Sequence, residues 1–583
     1  MFSKIVIANR GEIAVRVIRT TREMGIATVA VYSEADRDAL HVRMADEAYL
    51  IGPASPSLSY LDSSKLIDVA LRSGAQAIHP GYGFLAENAA FARAVVAAGL
   101  VWIGPHADAI DVMGDKIRAR QAMQRAGVPF VPGGTEPIED ARAAREAALS
   151  IGLPLALKAS GGGGGKGLKV AFTLDQVESA FTTARKEAEA YFKSDVIYAE
   201  RYLAHPKHVE IQILADKHGN VVHVGERDCS LQRRHQKVWE EAPGVVPDRA
   251  RRGMREAAVR AATAIGYDSA GTIECLVENG EFYFLEMNTR IQVEHTVSEM
   301  ISGLDLIREQ IRVAAGEPLG FNQDDIHFNG CAIEGRVNAE DPAREFRPAP
   351  GTISEYREPG GPGVRVDSAA YPGWTIPTDY DSLVAKLVVW APTRDRAIAR
   401  FRRAIDEYTV RGVPTTLPLL RALCDESHVL DGSYDTTTLE TFARTIAEPL
   451  DGPVQSPATP EPPDRSIVRV EVDDRLYRVR LIDLPIASAP VGGAQPARRS
   501  TQRRTRSASA GATGNDVVSP MHGIVVELRP SQGDSVEQGD VVAIVEAMKM
   551  MNEIRAHRSG TVTATHAPAG TTVETGSSLL TIE

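Results

Sequence analysis

The chain has 583 residues, 43% of them hydrophobic, and carries a formal net charge of −12. At roughly 150 residues per domain that is about four domains, and the acidic balance argues against a nucleic-acid partner. Four scattered cysteines show neither metal-ligand spacing nor a disulfide framework, and no apolar run is long enough to cross a membrane.

The N-terminus opens directly on Lys4-Ile5-Val6-Ile7-Ala8, with no room for a secretory leader, so a cytoplasmic protein is expected. That apolar strand runs through Asn9-Arg10-Gly11-Glu12 into an amphipathic stretch from Ile13 to Arg22, and a second strand follows at Ala27 to Tyr32. Ile78 to Gly83 and Val101 to Pro105 read as further strand ends closed by turns. This βα rhythm predicts a parallel sheet with covering helices. The first strand–glycine–helix join could take a phosphate at the helix N-terminus, although ordinary turn chemistry explains its glycine as well.

Gly161 to Gly165, followed by Lys166 and Gly167, lies between Leu155-Ala156-Leu157-Lys158 and Leu168-Lys169-Val170. Glycines let backbone N–H groups wrap phosphate oxygens. The loop joins two strands and lacks Ser or Thr after its lysine, so it is not a P-loop. Lys158 on the incoming strand can set a point charge on a polyphosphate. Further on, Phe282 to Asn288 reads as a strand with a polar end, and Glu274 in Thr272-Ile273-Glu274-Cys275 lies on its neighbour. Glu274, Glu286 and Asn288 make a hard-oxygen set suited to Mg²⁺ on nucleotide phosphates. Arg290 can fork a planar oxyanion, and a carboxylate nearby such as Glu294 can take a proton from it.

Towards the C-terminus, Gly452 to Asp464 is a Pro-rich break, and Ile467 to Leu481 alternates like a small hairpin. Pro485 to Asn515 is a 31-residue linker carrying a cluster of arginines. As a flexible coil it spans about 30 Å, and roughly 110 Å when stretched, which suits a tethered cargo visiting more than one site. The tail beyond repeats itself with a shift of 37 residues: Gly523 falls on Gly560, Val525 on Val562, Gly533 on Gly570, Gly539 on Gly576 and Glu546 on Glu583. One supersecondary unit used twice can pack face to face. Lys549, in Glu546-Ala547-Met548-Lys549-Met550, lies outside the repeat near the joining turn, a placement suited to covalent attachment of a carried group.

Ala-Met-Lys-Met in a duplicated β-unit, with Ser519-Pro520-Met521-His522-Gly523 upstream, resembles the biotinyl domain of biotin-dependent carboxylases. Lipoyl domains share the duplication, but their lysine usually follows an acidic residue. Residues 1 to about 446 resemble biotin carboxylase, an ATP-grasp enzyme. The motifs are Ile7 to Ala14, His79-Pro80-Gly81-Tyr82-Gly83-Phe84-Leu85, the glycine loop, Arg227 to Lys237, and Glu286 to His295. Thr296 stands where Pro commonly follows Glu-His, and Ala86 where Ser is common, which leaves the local loop geometry open.

The resemblance implies an α/β carboxylase. Its parts would be a Rossmann-like N-terminal domain (1–114), an ATP-grasp domain with a Gly-rich lid (115–320) and a C-terminal α+β domain (321–446). A short connecting segment (447–484), the linker (485–515) and an all-β flattened-barrel biotinyl domain (516–583) would follow. Lys116, Lys158, Gly163, Gly164, Gly165 and Lys166 would hold ATP phosphates, with Glu200 and Leu203 near the adenine. His208, Gln232, His235 and Lys237 would line the nucleotide and phosphate site, and Glu274, Glu286 and Asn288 would ligate Mg²⁺ or Mn²⁺. Arg290, Gln292 and the Val293 backbone would bind bicarbonate for deprotonation by Glu294. Arg336 would stabilise the biotin enolate, and Lys549 would carry the biotin.

The implied reaction runs through carboxyphosphate. With no carboxyltransferase in the chain, the implied partner is a separate carboxyltransferase β subunit, in the manner of actinobacterial acetyl- or propionyl-CoA carboxylases. A biotin protein ligase and a homodimeric carboxylase unit within a larger hetero-oligomer are also implied. A pyruvate or urea carboxylase component, another ATP-grasp ligase, and a non-catalytic carrier are the alternatives.

Overall fold

The computed structural model describes the chain except residues 135, 161–166, 193, 234–235, 345, 448–466, 473–474, 481–513, 522 and 549. Two compact units result, Met1–Ala447 with Val517–Glu583, and Glu448–Asp516. In the second, strands Ile467–Val472 and Arg475–Arg480 pair antiparallel, as the alternation predicts. No helix among the described residues is long and apolar enough to cross a membrane.

The first hundred residues form the expected parallel sheet, which has five strands, with Lys4–Ile7 flanked by Ala27–Ser33 and Ala77–His79 in parallel register. Ile5, Val6 and Ile7 are all fully buried, as a strand covered on both faces must be. Helix Gly11–Glu23 lays Ile13, Ala14, Val17 and Ile18 onto this core. The join between strand and helix is filled by the chain itself. Asn9 donates to the carbonyls of Pro80 and Tyr82, both at 2.7 Å. Arg10 forks Asp36 at 2.6 and 2.7 Å beneath the ring of Tyr380. Turn chemistry and an internal ion pair therefore account for this segment.

The glycine loop is flanked by the expected hairpin, Leu155–Ala159 against Leu168–Ala171; the loop itself lies outside the described residues. Next comes an eight-stranded sheet, antiparallel throughout, that positions most of the chemistry. Its order is Glu281–Asn288, Ala270–Glu278, Lys207–Ala215, Val221–Arg233, Gln236–Ala242, Cys331–Asn338, Leu383–Ala391 and Val364–Ser368. It runs without interruption from the central part of the chain into the part beyond residue 330. One hydrophobic core holds its far half, with Trp239 edge-on to Phe401 and Leu387 and Leu420 beside them.

The tail folds as two four-stranded sheets, and the 37-residue repeat explains how. Each half lends its short strand to the other: Thr572–Val573 pairs with Gly523–Leu528, while Ser535–Val536 pairs with Gly560–Thr565. Repeat-related valines, Val525 with Val562 and Val536 with Val573, are buried together in one core. The glycines obey the same symmetry. A Cβ on Gly523 would lie 2.4 Å from the carbonyl of Glu546, and one on Gly560 would lie 2.4 Å from that of Glu583. Gly523→Ala and Gly560→Ala are therefore each expected to cost the tail about 1–3 kcal/mol. Hydrogen exchange of this segment in the full chain would register the loss, and unchanged protection in both variants would contradict it.

Candidate active site

The eight-stranded sheet is the template. On strand Lys207–Ala215, His208 and Glu210 are two residues apart and so point to the same face. Glu274 lies directly across from Glu210 on one side and from Glu286 on the other. Lys237 pairs with Gln232 across the next hairpin, and Arg336 lies on the strand paired to the far side of the Lys237 strand. The Gln292-Val293-Glu294 turn, just before helix His295–Ser302, closes over this surface.

Side chains on the template form one connected polar network. Gln232 and His208 are hydrogen-bonded at 2.9 Å, and His208 Nε2 lies 2.9 Å from Glu274 Oε2. The other Glu274 oxygen accepts from Asn288 at 2.6 Å and from Gln292 at 2.9 Å. Lys237 Nζ pairs with Glu210, lies 3.4 Å from Glu274 and donates to Glu294 Oε1 at 2.7 Å. Glu294 Oε2 accepts from Arg336 at 3.0 Å, and Arg336 also donates to Glu240 at 2.6 Å. Each oxygen of Glu294 thus faces a different cation.

Burial alone would push the Glu294 carboxyl up. The charges of Lys237, Arg336 and Arg227 outweigh it and hold the group well below the usual carboxylate range. Burial likewise opposes the charge on Lys237, but Glu210, Glu274 and Glu294 raise it well above its ordinary value. Glu240 is pushed by burial to about 8 against the pull of Arg336.

His208, Gln232, Lys237, Glu274, Asn288, Gln292, Glu294 and Arg336 meet here, and other predicted residues among those described extend the site outward. Lys116 Nζ reaches Glu286 at 3.3 Å, and Lys158 pairs with Glu200, which Arg120 also holds at 2.7 Å. Leu203 is buried in the turn after strand Ile197–Arg201. Arg290 donates to Glu87 at 2.9 Å and to Asn288 at 2.8 Å. Gly163, Gly164, Gly165, Lys166, His235 and Lys549 lie outside the described residues.

Sequence reasoning missed Glu210, Arg227, Glu240, Arg120 and Glu87. The alternation of polar residues His208, Glu210 and Gln212 along one strand was the available signal for the first. Arg227 is fully buried and donates to Gln212, Ser298, Glu210, Thr272 and Gln292. Its role needs tertiary contacts that no spacing shows.

For a divalent cation, Glu274 and Glu286 offer carboxylates from facing positions on neighbouring strands, with the Asn288 amide beside them. These are the hard oxygens that Mg²⁺ takes, so the set fits. The tightest ligand clusters among the described residues are different ones, His208–Glu210–Glu274 and Glu210–Cys229–Glu294. Both surround the Lys237 ammonium, which already supplies the positive charge there.

Four family models match in succession. They are the biotin carboxylase N-terminal domain over residues 1–110, the carbamoyl-phosphate synthase L chain ATP-binding domain over 115–322, the biotin carboxylase C-terminal domain over 334–441 and the biotin-requiring enzyme model over 515–582. Biotin carboxylase 1 of Bacillus subtilis is 52% identical, over 76% of this chain and 99% of its own length. The chain belongs to the biotin carboxylases.

Its similarity to one relative runs end to end. The biotin-dependent acyl-coenzyme A carboxylase alpha3 subunit of Mycobacterium leprae is 44% identical, over 100% of this chain and 98% of that protein. A pyruvate carboxylase subunit of Methanothermobacter thermautotrophicus is 50% identical over 76% of the chain and 91% of its own. Among solved structures, the biotin carboxylase domain dimer of Hydrogenobacter thermophilus 2-oxoglutarate carboxylase, in complex with MgADP, ADP and bicarbonate, aligns with a TM-score of 0.73 at 49% identity. It covers 76% of this chain and 99% of that one. This carboxylase is an ATP-grasp ligase with a biotinyl domain behind it.

In the biotinyl domain, Met548 sits just before the predicted attachment lysine with a positive φ of 49°. Its side chain is buried and belongs to the hydrophobic cluster around Trp239 and Phe401, not to the biotinyl core.

The depressed Glu294 carboxyl sets a pH dependence. Its charged form contributes stability fully above the ordinary carboxylate value of about 4.3, and that contribution is lost as pH falls through the lower folded value. Lys237→Met removes the largest opposing charge, so acid unfolding should begin at higher pH, by on the order of one unit. Tryptophan fluorescence against pH measures it; an unmoved midpoint would mean Lys237 does not hold Glu294 ionised.

Proposed function

We propose that this carboxylase uses ATP and bicarbonate to carboxylate biotin on Lys549 and delivers the product to a separate carboxyltransferase, serving as the α subunit of an acyl-CoA carboxylase. The observation that carries the chemistry is Glu294, an ionised carboxylate held between Lys237 and Arg336. The end-to-end similarity to the Mycobacterium leprae acyl-CoA carboxylase protein supports the acceptor class.

Arg290, Gln292 and the Val293 backbone bind bicarbonate, and ionised Glu294 takes its proton. The bicarbonate oxygen then attacks the γ-phosphorus of ATP and ADP leaves as the β–γ P–O bond breaks; the phosphates would lie against Lys116, Lys158 and the glycine loop, with Gln232, His208, His235 and Lys237 lining the site. Glu200 and Leu203 flank the adenine. Glu274, Glu286 and Asn288 would hold Mg²⁺, which would supply positive charge against the nucleotide phosphates. The carboxyphosphate so formed breaks down to CO₂ and phosphate, and water has to be kept out because it would hydrolyse the mixed anhydride. Phosphate takes the ureido proton of biotin, and the freed ureido nitrogen attacks the carbon of CO₂ to give carboxybiotin, while Arg336 supplies a fixed cation for the charge that develops on the ureido oxygen, the kind of preorganised contact that usually contributes most to catalysis. The burial of Met548 among hydrophobic residues of the carboxylase favours loading of the chain's own biotinyl domain.

Glu294→Ala should lower bicarbonate-dependent ATP hydrolysis about 10²–10⁴-fold; a variant with wild-type turnover would remove Glu294 from the reaction. Avidin capture from a native lysate should retain the chain together with an acyl-CoA carboxyltransferase. Retention with a pyruvate-carboxylating partner instead would favour the reading suggested by the Methanothermobacter relative. Loss of retention in Lys549→Arg is expected in either case.

A further inference from the structure

Lys386 is fully buried on strand Leu383–Ala391, directly across from Arg336 on one neighbouring strand and from Asp367 on the other. Its ammonium lies where three parts of the molecule meet. It donates to the main-chain carbonyl of Val293 at 3.0 Å, in the turn between strand Glu281–Asn288 and helix His295–Ser302. It lies 3.2 Å from Glu12 Oε2, on the first helix of the N-terminal sheet, and 3.9 Å from Asp367. Tyr82 donates to the other oxygen of Glu12. Asp367 is forked by Arg365 at 2.8 and 2.7 Å, and Arg365 also donates to Glu299 on helix His295–Ser302 at 2.8 Å.

A buried ammonium is costly to desolvate and persists only where its donors are used. Here one donor is spent on a neutral carbonyl in the turn that carries Gln292 and Glu294. The Val293 carbonyl belongs to the peptide plane shared with Glu294, so holding it holds the Glu294 N and Cα and restrains where the Glu294 side chain starts. Arg227 holds the same turn through the Gln292 side chain. Beside them, Thr296 donates to Glu334 and ties the start of the following helix to the strand bearing Arg336.

We propose that Lys386 is a positioning residue for the bicarbonate turn, setting Glu294 against Arg336 and coupling that geometry to the N-terminal domain through Glu12. The proposal rests on the reading of this turn as the bicarbonate site. Lys386 touches no reacting atom; it acts through the Val293 carbonyl.

The test is steady-state kinetics of full-length Lys386→Met, varying bicarbonate and ATP separately, beside the wild-type protein. kcat/KM for bicarbonate should fall by about 10²-fold, the cost of a misplaced reacting group, while the KM for ATP stays unchanged. Glu12→Gln, which keeps a side chain able to hydrogen-bond, should lower the same bicarbonate parameter by a smaller factor. Equal losses for both substrates, or wild-type bicarbonate kinetics, would overturn the proposal. Should Lys386→Met fail to fold, Glu12→Gln decides: a bicarbonate-selective loss supports the proposal, and no loss or an unselective one overturns it. Absence of bicarbonate-dependent turnover in the wild-type protein would instead sink the functional reading beneath it.

Discussion

The Lys237 ammonium, set among the buried carboxylates of Glu210, Glu274 and Glu294, is the contact on which the rest of this site depends. Three carboxylates packed this closely could not all stay ionised without it. Charge is balanced by proximity rather than by solvent: Arg227 meets Glu210 from the far side, and Arg336 meets Glu294. Buried pairs of this kind add little net stability, because desolvation takes back much of the attraction. What they provide is a fixed set of charges in a water-poor space, where electrostatic contacts are strong and need no reorganisation during the reaction.

An unbroken antiparallel sheet makes that arrangement possible. Register places Glu210, Glu274 and Glu286 in line across three strands, and the same hydrogen-bond ladder continues to Arg336 and Lys386. Residues far apart in sequence therefore stand at distances fixed by strand spacing, about 4.8 Å per step. Arg336, Lys237 and the carboxylates of Glu210, Glu274 and Glu286 all belong to this one sheet. The biotinyl domain is instead a small fold with its own core.

Much of this was legible in the sequence because the informative features are local. The parallel sheet showed in Ile5 to Ile7 and its successors, and the 37-residue repeat in the tail foretold a duplicated sheet pair with matching glycines. Lys237, Glu274, Glu286, Gln292, Glu294 and Arg336 fall in spelled motifs, and the fold brings most of them into one network. What stayed hidden depends on pairing between distant strands. No spacing reveals that the sheet runs through two domains, that Arg227 holds Gln292, or that Lys386 of one domain fixes a carbonyl of another. The exchange of short strands between repeat halves was equally invisible, because repetition is blind to which copy pairs with which.

The central claim is that a charge network around Glu294 loads the chain's own biotin. The most direct measurement is to incubate the biotinylated full-length protein with ATP, Mg²⁺ and isotopically labelled bicarbonate, then follow label bound to the chain through rapid gel filtration. Label approaching one equivalent per biotin, dependent on ATP and absent when Lys549 carries no biotin, is the predicted result. ATP cleavage by a fully biotinylated chain that never acquires label would contradict it.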